Sequence, residues 1–472
     1  MTANLATLEV PEPRAPAAVA VRAKAGRTTV VWLIAAVAVG AILRFWGLGT
    51  SRLTYDESFT AMAGRLPFGT LVDYLRVHDS HPLLDYLFHA PFARAGVDEF
   101  WFRAPSALVS VAALALFAWW MRSRGRVGVI ATAFMAVSTF EVVHGRQARM
   151  YAELELLGVG IAMLATNWHS KPRRWHAPAL AALVLIGLLT HVSMFLLAVG
   201  LFALPGRRVD REAWRWRGAI VLAGFGWALI WGSTFLTQAG GGHSSWIGTT
   251  TVTGLESAIG RMITMEPALA VASVIGIVCG GALLWRRRDL DLGRIWWCCF
   301  AIPVAVSVVA GLFEPVVVDR TFTLMAWAPC LAIAVLLDTL MRWRRLAGAV
   351  AILAVLAFMI PSTLGAIQGP QGPDIPLREL ARLAKPGDIV AVRSATKAPE
   401  LVWSLGFQGP AQLHRVPVSA APTAYGLRIG EGKPSGRTWL LDWRPFHHGL
   451  VTTNECAPRW SWHNITIRCF RS

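Results

Sequence analysis

Charge is scarce in this chain: of 472 residues, 15% are Asp, Glu, Lys or Arg, and the acids are the fewer, 28 against 45 basic residues. No GxxxxGK(S/T) loop is present, and no GxGxxG follows a strand-like run, which argues against an ATP-driven pump or a nucleotide-binding fold. Six cysteines occur without a CxxC pair or a zinc-ligand spacing. No HExxH occurs either, so the familiar zinc-helix pattern is excluded.

What the chain has instead is apolar length. Hydrophobic residues make up 55% of it, and mean hydropathy is +0.48. Repeated apolar runs of about eighteen residues or more mark a polytopic helical membrane protein. The net charge of +17 would suit nucleic acid if it were concentrated on one soluble domain. Here the arginines sit in short loops between apolar runs, so membrane topology explains them and no nucleic-acid partner is expected.

Hydropathy and loop charge together give about eleven spans. The first runs from Thr28 to Trp46, behind a leader (1–27) expected to be disordered and cytoplasmic. A long outer segment (47–102) follows, in which Glu57 to Val77 and Pro82 to Ala95 have helical spacing but too much charge to span; they are expected to lie along the interface. Further spans are expected at 103–121, 127–143, 150–168, two short ones within 175–204 turning near His191, then 218–236, 267–285, 294–312, 321–341 and a last one ending near Pro361. The short basic loops, including Arg122-Ser-Arg124-Gly-Arg126, Lys171-Pro-Arg173-Arg174 and Arg286-Arg287-Arg288, then share one side.

Composition changes after residue 368. Asp388 to Arg393 and Thr438 to Asp442 read as buried strands and Pro376 to Leu383 as a short helix, so 369–472 is expected to be a small extracytoplasmic α/β domain. Cys456 and Cys469 fall in this polar tail and would pair as a disulfide if it lies outside the cytoplasm. Cys279, Cys298, Cys299 and Cys330 lie in apolar runs and read as buried hydrophobes.

The chemistry-bearing residues gather on the outer face. Asp56 and Glu57 are adjacent, so they point apart and cannot form a close carboxylate dyad. Acids here can cap the helix that follows, which suits Glu57, or serve as a base, which suits Asp56. Arg146, Arg149 and Tyr151 lie where the third span emerges, and Arg320 opens a late span. Outer arginines run against the positive-inside bias; they either anchor to headgroups or bind an anion, for which a phosphate fits the guanidinium fork. His81, His144 and His191 map to the same side and leave a divalent metal open, although satisfied polar histidines explain them as well.

In this order and spacing the chain resembles the GT-C-fold integral membrane glycosyltransferases, in the branch that contains protein O-mannosyltransferases and lipid A aminoarabinose transferases. The resemblance rests on Asp56-Glu57, on His81-Pro82-Leu83, on Arg103-x-Pro105-Ser106, on Arg149-x-Tyr151, and on Arg320 with Pro329. It departs at Leu83, where the family usually has a second Pro, at Gln147, where an acid is common, and at Thr321, where Tyr is usual.

The resemblance implies a polyprenyl-phosphate sugar as donor and an extracytoplasmic glycan, lipid or protein as acceptor. It implies Asp56 as general base, with Glu57 beside it, and inversion at the anomeric carbon. It gives donor-phosphate binding to Arg146, Arg149, Tyr151 and Arg320, and a substrate or structural role to His81, Arg103, His144 and His191. A transporter or flippase for a lipid-linked saccharide is the alternative from another class, and would carry ionisable groups mid-membrane or on paired broken helices.

Overall fold

The computed structural model describes residues 26–204, 211–240, 251–263, 269–286, 290–313 and 317–368, and in the tail 380, 382–383, 385, 388–392, 425–428, 437–442, 460–462 and 465–471. The leader (1–25), Cys456 and most of Pro376 to Leu383 lie outside them.

The chain is mostly helical. An apolar helix, α1 (Arg27–Phe45), leads into the segment 47–102, which holds three shorter helices: α2 (Tyr55–Gly64), α3 (Phe68–His78) and α4 (Leu84–Ala95). The expected single helix from Glu57 to Val77 is broken into α2 and α3, because Pro67 has no N–H to continue a helix and starts the next one as its N-cap. Next come α5 (Glu99–Met121), α6 (Arg126–Val137), α7 (Thr139–Gly145), α8 (Tyr151–Ser170), α9 (His176–Thr190) and α10 (Met194–Phe202). Asp98 caps α5, its carboxylate accepting the Trp101 N–H at 3.0 Å.

Then follow α11 (Arg211–Gly240), α12 (Val252–Arg261) and α13 (Ala270–Arg286). α14 (Leu290–Trp296) runs through a π-helical turn into α15 (Ile302–Gly311), a 3-10 segment (Asp319–Met325) leads into α16 (Trp327–Trp343), and α17 (Arg345–Gln368) closes the set. The last helix does not stop near Pro361: it carries that proline inside and continues to Gln368.

Among the described residues, five helical segments are long and apolar enough to cross a membrane: α1, α5, α11, α14 with α15, and α17. Two bent pairs raise this to seven, α6 with α7 at 55° and the 3-10 segment with α16 at 71°. Only 17% of the most apolar window of α17 is buried, so its side chains point outward, as a bilayer would require. Exposed Trp214, Leu222, Phe225, Leu229 and Leu236 give α11 a similar apolar face. These features are compatible with a multi-pass membrane protein.

Inside the bundle, α5 packs on α8, α1 on α6, α9 on α11 and α13 on α16. The described part of the tail contains a sheet in the order β2-β1-β3-β5-β4, built from β1 (Ile389–Val392), β2 (Tyr425–Arg428), β3 (Arg437–Asp442), β4 (Trp460–Trp462) and β5 (Ile465–Arg471). β1 and β3 pair in parallel and the other pairs are antiparallel. Buried Asp388 fastens β3, accepting from Trp439 Nε1 at 2.8 Å and from Arg437 Nε at 3.1 Å. Cys469 on β5 is disulfide-bonded.

Candidate active site

Thr54 starts α2 with a capping box: its hydroxyl accepts the Glu57 N–H at 3.4 Å, and Glu57 Oε2 accepts the Thr54 N–H at 2.8 Å. Glu57 is fully buried and receives three further hydrogen bonds, from Arg103 Nε (2.7 Å) and Nη2 (2.8 Å) and from the Ala148 N–H (3.0 Å). Burial pushes its carboxyl up, but Arg103 and these donors outweigh burial and hold it below the ordinary range. Of the two acids expected to be catalytic, Glu57 is therefore a locked cap and tie. It has no face left for a substrate.

Arg103 spends its remaining donors on the loop before α2, reaching the carbonyls of Leu48, Ser51 and Arg52 at 2.8 to 3.0 Å. It is a structural clamp. Arg146, expected to bind the donor phosphate, lies beside this clamp with a buried Nη1 that has no hydrogen-bond partner. It is 8% exposed, its electrostatic neighbours are Arg103 and Glu57, and burial first, then Arg103, lowers its pKa to about 10.

Asp56 faces the other way, as adjacent residues on a helix must. Its Oδ2 meets Arg320 Nη1 at 3.3 Å, and both side chains are 35% exposed. Arg149 lies behind this pair, 3% exposed, donating from Nη1 to the hydroxyls of Thr60 (2.9 Å) and Tyr86 (3.2 Å). Its Nε is buried with no hydrogen-bond partner, and no carboxylate pairs with it among the described residues. Burial opposes its charge, but Tyr86, Asp56 and Asp85 nearby outweigh that and keep its pKa well above the ordinary value.

His81 and His191 meet at this site, their rings 4.9 Å apart. Burial first, then the charge of Arg149, holds His81 well below its usual value, so it stands neutral with a buried, unpartnered Nδ1. His191 Nδ1 lies 2.8 Å from Ser193 Oγ and accepts the Ser193 N–H at 3.0 Å. Tyr151 starts α8 with Arg320, Arg149 and Asp56 as electrostatic neighbours. His144 does not join the other two histidines: it stacks on Phe140, lies edge-on to Tyr151 at 5.1 Å, and places Nδ1 3.0 Å from the Phe140 carbonyl.

Three contributors lie outside the expected set. Tyr86 donates to Asp79 in a short hydrogen bond and receives one from Arg149. Thr60 is one turn past Asp56 on α2, and that helical spacing was a usable signal. Asp79 is buried enough that its carboxyl is pushed up, against the pull of Arg149. A group able to hold a metal also lies nearby, Asp85, His89 and Glu153, rather than the three histidines considered from sequence.

Ionisable groups are not confined to this face. Within the bundle, Arg44 donates to Ser110 at 2.7 Å, Ser110 donates to Glu155 at 2.7 Å, and Arg44 lies 3.7 Å from Glu155, all three fully or almost fully buried. Buried Glu141 is an electrostatic neighbour of Glu155.

The arrangement thus offers an anion two arginines, one of them buried and short of a partner, beside a half-exposed carboxylate that could accept a proton. Compared with known proteins, the chain matches no family model and no curated protein.

Proposed function

We propose that the chain is a GT-C-type membrane glycosyltransferase that moves a sugar from a polyprenyl-phosphate donor to an extracytoplasmic glycan, lipid or protein. The observation that carries this reading is Arg149. Its guanidinium is buried, held by two hydroxyls and paired with no carboxylate in direct contact, so its unpartnered Nε leaves a donor free for an anion. A lipid phosphate can reach such a site between helices, whereas nucleotide sugars are not supplied outside the cytoplasm.

In this reading the donor phosphate binds Arg149 and competes with Asp56 for Arg320. Release of Asp56 from its ion pair frees its carboxylate to take the proton from the acceptor hydroxyl as that oxygen attacks the anomeric carbon. The C–O bond to phosphate breaks, the two arginines stabilise the departing phosphate, and the sugar inverts. The reading takes eleven spans, with the site and the region 369–472 on the extracytoplasmic side; a helix near each expected span supports it. Disulfide-bonded Cys469 suits that side.

The decisive assay is sugar transfer from a labelled polyprenyl-phosphate sugar in membranes, comparing the wild type with Asp56→Asn. Transfer by the wild type and its loss in the variant are expected; equal transfer by well-expressed Asp56→Asn would remove the base. A flippase for a lipid-linked saccharide has its own observation, the bent helix pairs and the buried Arg44–Glu155 cluster. Movement of the lipid across the bilayer without any transfer of sugar would favour it.

A further inference from the structure

We infer that Asp85 and His89 of α4 and Glu153 of α8 form a binding site for a divalent transition-metal ion. Each offers one ligand atom, and these atoms all lie within 4.8 Å of one another. Asp85 and His89 are four residues apart on one helix and so share a face. The first turn of α8 brings Glu153 to them from the other side.

Burial without partners distinguishes this group from an ordinary solvated acidic face. Asp85 is 1% exposed, and neither of its carboxylate oxygens has a hydrogen-bond partner. Both oxygens of Glu153 are likewise buried and without one. Two carboxylates placed together away from water must be neutralised, by protons or by a cation. His89 Nδ1 is 3.1 Å from Asp85 Oδ1, so an imidazolium could answer one of the four oxygens and leave three.

His89 has the second contact expected of a metal ligand. Its Nε2 lies 2.9 Å from Ser106 Oγ on α5. With the proton on Nε2 donated to Ser106, the Nδ1 lone pair turns toward the carboxylates; this is how outer hydrogen bonds fix the tautomer of ligating histidines. Nδ1 is also 3.0 Å from the Asp85 carbonyl, which can accept its proton when no ion is bound. One nitrogen and two carboxylates suit Zn²⁺, Co²⁺ or Mn²⁺ better than Mg²⁺ or Ca²⁺, which favour all-oxygen sets. The ion would tie α4 to α8, next to Tyr86 and Arg149 of the proposed phosphate site. The inference stands whatever reaction that site performs.

The test uses the full chain, purified in detergent without a histidine tag, stripped with chelator and titrated with Co²⁺ and then Zn²⁺. One equivalent per chain and a visible Co²⁺ absorption band displaced by Zn²⁺ are expected. Asp85→Asn, His89→Gln and Glu153→Gln should each weaken binding by about tenfold or more, and Ser106→Ala, which removes only the outer hydrogen bond, by about tenfold. If a ligand variant does not elute as folded protein, wild-type stoichiometry and Ser106→Ala decide. No bound equivalent in the wild type, or an affinity unchanged in every folded variant, overturns the site.

Discussion

Arg320 Nη1 sits 3.3 Å from Asp56 Oδ2, joining two residues 264 positions apart across the mouth of the site. Because the pair is one-third exposed, its contribution to stability should be small, about 1 kcal/mol or less. Arg320→Ala should therefore melt close to the wild type while sugar transfer falls by about 10²-fold. Thermal unfolding and transfer measured on the same preparation separate the two effects. A matched loss of both would make Arg320 a structural residue.

Glu57 should show the opposite pattern. Glu57→Gln leaves Arg103 buried without its countercharge, a change that costs about 3–5 kcal/mol in comparable pairs. The expected result is a large drop in melting temperature, with poor expression. If Glu57→Gln melts like the wild type and loses only activity, the cap assignment is wrong and Glu57 returns to the catalytic set.

Gly158 on α8 touches the segment that carries Arg320. A Cβ added there would lie 1.7 Å from the Leu324 carbonyl oxygen, so the 3-10 segment must move. Gly158→Ala should destabilise the protein by about 1–3 kcal/mol and reduce transfer by displacing Arg320. A crosslink between Cys residues placed at 56 and 320 would report the displacement directly: efficient closure in the parent and slow closure with Gly158→Ala.

His81 predicts a pH dependence. Its folded pKa is depressed below the ordinary 6.5, so the unfolded chain binds the extra proton first. Its contribution to stability is complete above the ordinary value and is lost as pH falls below it. Melting temperature should fall between about pH 7.5 and about pH 5.5, and His81→Gln should flatten that slope. His191 shifts in the same direction, so a residual slope in the single variant is expected.

The positions of the helices were legible because hydropathy is a local property: α1, α5, α8 and the pair α9 and α10 begin and end within a few residues of the expected limits, with the turn at His191. The bends were not. Ser138-Thr139-Phe140-Glu141 is a brief polar step in an otherwise apolar run that reads as one span, and there the Ser138 hydroxyl accepts the Glu141 N–H and restarts the helix. The union of Asp56 with Arg149 and Arg320 could be inferred from sidedness. The division of labour between Asp56 and Glu57 could not, since it depends on Arg103 and Ala148 arriving from elsewhere. Glu153 was hidden for the same reason, because nothing local relates it to Asp85 and His89.

The tie between Glu57 and Arg103 also determines how freely Asp56 can move. Four donors fix the carboxylate of the residue next to it, and three carbonyls of the preceding loop are fixed by the same guanidinium. The backbone under Asp56 is thus immobile before any substrate arrives, and only its two side-chain torsions remain to be set. Most of the entropy of aiming the carboxylate is lost once, when the chain folds, and in the proposed transferase would not be lost again at each turnover.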